Sequence, residues 1–305
     1  HHEEDGHDED DHDEDHEEHE EETTNYSFDS SNLSFALDLS RPLNENLNLN
    51  LGYSNVERAP SVVELFMNGP HLATGRFETG DVNLGTETSS NFDIGLSYEA
   101  DNTYASLTIF RNDVDNYIYL MDMHDEDDHD DHMEAMDEDD HDEDHDDHGH
   151  AEGLIPANYM QQNAELNGYE LQIGRVFNLD SGDLEVSFSR DVVNGELADG
   201  MNIPRLSPAR NIYSLEYSVN DYLFDLSFKD VEDQKDVAEE ESPTMGYQML
   251  DTKVVKTFDL NGNSLRVSVF ANNLLDEVAR NHSSWVKNQV PLPGRNYGIR
   301  FNLTF

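Results

Sequence analysis

Along most of the chain apolar residues recur at every second position. Leu33, Phe35, Leu37 and Leu39 alternate with polar or small neighbours, and Leu47, Leu49, Leu51 and Tyr53 alternate with asparagine and glycine. The same period continues through Phe92, Ile94, Leu96 and Tyr98, through Leu107 and Ile109, and through Tyr169, Leu171 and Ile173. It returns at Leu184, Val186 and Phe188, at Tyr213, Leu215 and Tyr217, and at Tyr222, Phe224, Leu226 and Phe228. The last two runs are Leu265, Val267, Val269 and then Tyr297, Ile299, Phe301, Leu303, Phe305. A period of two sends one set of side chains to one face of an extended strand and the remainder to the other. About eleven strands are predicted, many longer than the five or six residues usual in soluble sheets.

The connections alternate in length. Short turns are expected at 41–46, 99–103, 179–183, 219–221 and 259–264, and long loops at 58–86, 122–157, 191–205, 230–242 and 278–293. An antiparallel meander reverses at every connection, so strict alternation places all the long loops at one end of the sheet. The polar face holds almost no core-forming residues, and tyrosines and phenylalanines collect near the strand ends of the apolar face. Tight turns at one rim, long loops at the other and an apolar band with aromatic girdles are the layout of an antiparallel transmembrane β-barrel. A sheet that spans lipid has to close, because each unpaired backbone group there costs several kcal/mol. Single-chain bacterial barrels have even strand counts, so eleven strands read as the second half of a larger barrel, with the others N-terminal to His1. In such barrels the C-terminus ends at the periplasmic rim, among the short turns. Counting back from Phe305 then puts the five long loops, and the segment 1–24 before the first strand, outside the cell.

Charge changes the picture at two places. The 305 residues include 17 basic and 68 acidic side chains, for a formal charge of −51. Residues 1–22 and 122–152 contribute 15 and 18 of the acids and no base, which is −33, leaving only −18 on the other 252 residues. The chain is a moderately acidic body with two polyanionic insertions. That balance argues against nucleic acid, whose phosphates are bound by Lys and Arg with release of counterions, and suits the capture of cations. There are no cysteines, so disulfides and thiolate metal sites are excluded. No apolar run approaches the ~20 residues of a transmembrane helix, no signal peptide is visible, and the opening low-complexity run reads as a truncated beginning.

Both insertions are rich in histidine: His1, His2, His7, His12, His16 and His19 in the first, and His124, His129, His132, His141, His145, His148 and His150 in the second. Imidazole with carboxylates such as Asp142 and Asp146 suits Zn2+, with copper, nickel or manganese as alternatives, whereas carboxylate alone suits calcium and magnesium. Adjacent like charges disfavour a helix, so the expectation is many overlapping weak sites that order as metal binds. Met121, Met123, Met133 and Met136 would add ligands only for Cu(I). Within 58–86, Glu64, Met67 and His71 lie close in sequence and form a candidate transfer site. Rigid motifs are absent. The "HEEH" at 16–19 is one residue short of H-E-x-x-H, and "DHDDHG" at 144–149 departs from a calcium loop at His148 and Ile155. No Ser-His-Asp set or glycine-rich phosphate loop appears, so an enzyme is not expected.

Three stretches resemble the TonB-dependent outer-membrane receptors. Arg58, Ala59, Pro60 and Glu64, followed by Leu84, Glu87, Ser89, Asn91 and Gly95, match that family's "RAPs..El" and "L..E.s.n.e.G" boxes. Residues 107–120 are similar to the strand that follows, and Asn273, Leu274, Asp276, Pro293, Gly294 and Arg295 resemble the C-terminal box before the last strand. The resemblance covers 25–305 apart from the insertion at 122–157. It implies a monomeric 22-stranded barrel in the outer-membrane lipid of a Gram-negative bacterium. A separate N-terminal plug, absent from this sequence, would contact the TonB complex. Histidine- and aspartate-rich extracellular loops resemble those of the zinc-regulated receptors, which implies active import of a divalent metal with no prosthetic group. Haem uptake through His71, between the two boxes, is the alternative; against it, the second box reads "VNLGTETS" without the Asn-Pro of haem receptors, and the first begins "VERAP" where an aromatic is usual. A surface adhesin or metal buffer without transport is a further alternative.

Overall fold

The computed structural model describes residues 26, 30–123 and 153–305. The opening tract and residues 124–152 of the second lie outside them. The architecture is that of the unit Asn32–Phe305, from which His1–Ser31 separates. Its strands are β1 (Phe35–Pro42), β2 (Leu47–Arg58), β3 (Asn68–His71), β4 (Arg76–Thr79), β5 (Glu87–Ala100), β6 (Thr103–Asp122) and β7 (Ile155–Leu179). They continue as β8 (Gly182–Leu197), β9 (Arg210–Val219), β10 (Tyr222–Val231), β11 (Tyr247–Leu260), β12 (Asn263–Asn272) and β13 (Asn296–Thr304). Among the described residues one short helix, α1 (Val62–Phe66), precedes β3.

Eleven of these strands form one antiparallel wall in chain order, from β1 through β2, β5 and onward to β13, as the alternation predicts. The small strands β3 and β4 stand off that path inside the first long loop. The turns between wall strands are tight. Asp101, Asn220 and Asn261 have φ of 49°, 50° and 57°, and Gly262 has 95°. The Asn261-Gly262 pair thus supplies two successive positive φ values, which a two-residue hairpin turn requires for its twist to match the strands. The described long loops run 59–86, 198–209, 232–246 and 273–295, all at the opposite rim, where β6 ends and β7 begins as well.

Register lines the apolar residues into rows. Leu39, Leu51, Ile94, Ile109 and Tyr169 are successive partners across five strands, and Ile173, Phe188, Tyr213 and Phe228 across four. This face is open rather than packed: Leu37 is 68% exposed, Ile299 58% and Phe301 63%. So much contiguous apolar surface far exceeds the few hundred Å2 of a soluble monomer and requires an apolar surrounding. On β7 the outward positions from Leu179 to Tyr169 are apolar except for Arg175, and they span about 33 Å along the strand at ~3.3 Å per residue, or about 25 Å of height at a 40° tilt. That is the height of a membrane band. The inward face is polar, and where an aromatic ring points inward its cross-strand partner is small. Tyr104 lies over Gly174, where a Cβ would meet the ring at 2.1 Å, and its hydroxyl donates to Glu185 at 2.5 Å.

Candidate functional site

β6 and β7 do not stop at the apolar band. Above the Ile109–Tyr169 pair the outward positions become Arg111 and Asn167, then Asp113 and Glu165, and the two strands stay paired up to Asp122 and Ala157. This stalk adds a dozen residues on β7, about 40 Å of strand, and ends where residues 124–152 attach. A bulge between Val114 and Tyr117 shifts the register, with Asn116 at φ 58°. Asparagine tolerates that left-handed conformation, and here its N–H donates to Asn163 and its amide to the Thr86 carbonyl. Beyond the bulge, Ile118 to Met121 are buried on both faces. Tyr119 and Met121 pack with Val114, Ala164, Leu197 and Ile203, while Ile118 packs with Leu65 and Leu84 from the first loop. Met121 is therefore part of the packed core.

The first loop is held by the residues of the two boxes. Ser61 caps α1 and Glu64 closes a reciprocal capping box. Arg58 donates to both oxygens of Glu64 at 2.9 Å and to Glu87 at 3.1 and 3.3 Å, and Glu87 also accepts the Ile118 N–H. The loop then crosses to pair β4 in parallel with the start of β7, Arg76 opposite Ile155. That pairing delivers Arg76 to the end of the stalk.

There, five long-loop or strand-end segments meet around one carboxylate. Asp122 accepts two hydrogen bonds of 2.6 Å from Arg76 and two of 3.1 Å from Arg205. Both guanidinium groups lie over the ring of Trp285, at 4.6 and 3.1 Å, and Arg76 donates to the Trp285 carbonyl. Arg205 has φ 60° and gives its backbone N–H to Glu241. Glu241 takes the Lys287 ammonium at 2.6 Å and lies 3.0 Å from Nε2 of His282, whose Nδ1 contacts Thr244 at 2.9 Å. The His282–Glu241 approach is a close contact rather than an aligned hydrogen bond, since Nε2 keeps no well-directed partner. The charged side chains here are at most about a tenth exposed. Such a cluster is rigid when complete, and removing one member strands the rest in low dielectric.

Burial pushes Arg205 down to about 10 despite Asp122, and pushes Lys287 down as well. Burial would raise Glu241, but His282, Lys287 and the Arg205 N–H outweigh it and hold the carboxyl at about 2. A carboxyl depressed below its ordinary 4.5 contributes stability in full above that value and loses it as pH falls toward 2. Protection of the amides of loop 232–246 against hydrogen exchange, corrected for the intrinsic rate, is expected to hold at pH 5 and to fall progressively between about pH 4.5 and 2. Opening between pH 5 and 7 would count against this assignment.

The structure gives the predicted transfer residues other partners. Glu64 is engaged by Arg58 and the start of α1, Met67 is the C-cap of that helix, and His71 places Nδ1 2.7 Å from the buried Glu78. No hydrogen bond joins Glu64, Met67 and His71. Among the described residues no three His, Asp or Glu side chains are grouped to hold a metal. The thirteen tract histidines, with Asp142 and Asp146, lie outside the described residues.

A family model described as the β-barrel of TonB dependent receptor-like proteins matches residues 5–274. The chain belongs to the TonB-dependent receptor family. Among curated relatives, the ferrienterobactin receptor of Escherichia coli (strain K12) is 33% identical over 102 residues, 30% of this chain and 14% of that protein. The ferric enterobactin receptor of Pseudomonas aeruginosa is 34% identical over 98 residues, 28% of this chain and 13% of that one. Among solved structures, copper transporter OprC aligns with a TM-score of 0.67 at 18% identity, over 88% of this chain and 39% of its own. The siderophore receptor PirA from Pseudomonas aeruginosa gives 0.55 at 18%, over 89% and 41%. This receptor chain thus matches about a seventh of the length of its curated relatives and two fifths of the solved structures. Barrels of the family stand in the outer membrane, which accounts for the exposed apolar wall, and its members are receptors and transporters rather than enzymes.

Two sets of residues escaped the sequence reading. Asp122 was grouped with the acids of the tract, although the unbroken apolar run Ile118–Met121 before it signals a strand buried on both faces. Arg76, Arg205, Trp285 and His282 come together only through loop packing, and the one clue was the chain's single tryptophan inside a loop.

Proposed function

We propose that this receptor gathers a divalent metal ion, Zn2+ foremost, on its histidine- and acid-rich tracts and imports it across the outer membrane. The observation that carries the reading is the stalk. The segment with seven histidines is attached at the end of a paired hairpin reaching about 40 Å of strand beyond the apolar band, on the rim that bears every long loop. Neutral imidazole beside carboxylate is a zinc donor set, and −33 formal charges on the two tracts raise the local cation concentration above the barrel. Import driven through TonB needs a plug and a closed barrel, which we assign to the remainder of the receptor. A surface adhesin or metal buffer would bind the same ion with no uptake.

Imidazole must be neutral to ligate. Zinc titration of the full receptor by calorimetry is expected to show several weak sites at pH 7.5 and a loss of most of them at pH 5.5. Equal stoichiometry at both values would remove histidine from the ligand set.

One observation favours haem as a second reading. The His71 ring is half exposed on the long-loop side and its Nδ1 lies against the buried Glu78 carboxylate, an arrangement that fixes the orientation of a ligating imidazole. On that reading His71→Ala abolishes haem-dependent growth and free zinc does not compete; on the metal reading zinc-limited growth of that variant is unchanged.

A further inference from the structure

The outward face of the wall is not electrically uniform. At the extracellular edge of the apolar band the outward arginines are already matched, Arg111 by Asp113 and Glu165 and Arg190 by Glu232. At the turn-side edge three basic side chains occupy outward positions: Arg41 opposite Leu49, Arg175 opposite Val186 and Lys256 opposite Tyr222. None of these makes an ion pair among the described residues. Arg175 instead lies 5.3 Å from the Phe177 ring, and Lys256 lies 3.7 Å from Tyr222. The acids at this end sit in the turns, as Asp101, Asp180 and Asp221 do, or on the inward face with Glu185.

Arg175 stands at one end of a groove of about 660 Å3 in the apolar face. Val186, Leu215 and Leu226 form its floor, and Phe188, Tyr213 and Phe228 rise along the side away from the turns. The floor is low because one row of aliphatic side chains runs between aromatic rows. An apolar groove in a membrane wall accepts an acyl chain by dispersion alone, with little selection. The guanidinium adds selection: its fork fits a phosphate oxygen pair, and at the membrane interface it is less screened than in water. Its place beside the short turns assigns the lipid to the periplasmic leaflet.

We infer that this groove holds an acyl chain of a periplasmic-leaflet glycerophospholipid whose phosphate rests on Arg175, so that this patch of wall is a defined lipid site. The test uses full-length receptor, stripped of lipid in detergent and titrated with dioleoyl phosphatidylglycerol under native mass spectrometry. One saturable lipid adduct is expected. Arg175→Gln weakens it about ten-fold, in line with loss of one charge-assisted contact, and Val186→Phe, which fills the floor, weakens it similarly. Arg111→Gln at the other edge has no effect, and inorganic phosphate at millimolar concentration does not displace the lipid. Folding of each variant is checked by heat-modifiable migration. An adduct unaffected by Arg175→Gln, a purely statistical ladder of adducts, or full displacement by inorganic phosphate overturns the assignment.

Discussion

Asp122→Ala is expected to open the mouth of the barrel while leaving the wall intact. The carboxylate accepts four hydrogen bonds from two arginines that also share the Trp285 ring. Without it, two buried cations lose their shared carboxylate and only Glu241 remains near Arg205; breaking a buried pair in this way costs about 3–5 kcal/mol. The loss falls on the segments the lock joins, around Arg76, Arg205 and Trp285, because the wall strands carry their own ladders. Amide exchange there should accelerate by roughly 100-fold or more, at about 1.4 kcal/mol per factor of ten, with no change in β5 or β9. Asp122→Asn keeps the shape and loses the charge, so it should give a large part of the same effect. Unchanged exchange in both variants would mean that the loops are held by their apolar contacts alone.

The loop cluster around Asp122 is the part of the molecule least encoded in local sequence. The wall was legible because one local rule, apolar at every second residue, is imposed by lipid on one side and water on the other. The turns were legible because Asp-Asn, Asn-Asp and Asn-Gly pairs accept positive φ. Where those constraints end, reading failed. β8 runs on to Leu197 although 191–205 was expected to be loop, since above the band the alternation fades, with the adjacent Val192 and Val193 falling on opposite faces among polar neighbours. α1, β3 and β4 were hidden inside 58–86, although Ser61 and Glu64 carry a capping-box spacing. The lock joins Asp122 to residues 46 and 83 positions away, and no local pattern encodes such pairings. Of the candidate site, the histidine tracts were visible from composition, while the lock to which one of them is tied was not.

Deleting residues 124–152 together with 1–22 is expected to raise the zinc concentration for half-maximal uptake by about ten-fold or more, the scale on which a focused field alters capture of an ion. Maximal uptake at saturating zinc should be little changed, because the deletions leave β6, β7 and the Asp122 lock in place. The effect should shrink as salt rises, since the field of exposed carboxylates is screened beyond about 8 Å at physiological ionic strength, yet persist in part because imidazole ligation is not purely coulombic. Zinc uptake measured over a concentration series in zinc-starved cells decides the matter. Identical curves for the deleted and intact receptors would remove the gathering role and leave the tracts as solvated surface.

Sidedness underlies all of this, and the chain offers a clean way to measure it because it has no cysteine. Ala135→Cys places a thiol within the histidine-rich segment and Ser181→Cys places one in the β7–β8 turn. In intact cells a membrane-impermeant maleimide is predicted to label position 135 at once and position 181 only after the outer membrane is permeabilised. Labelling of position 181 in intact cells with position 135 protected would contradict the account.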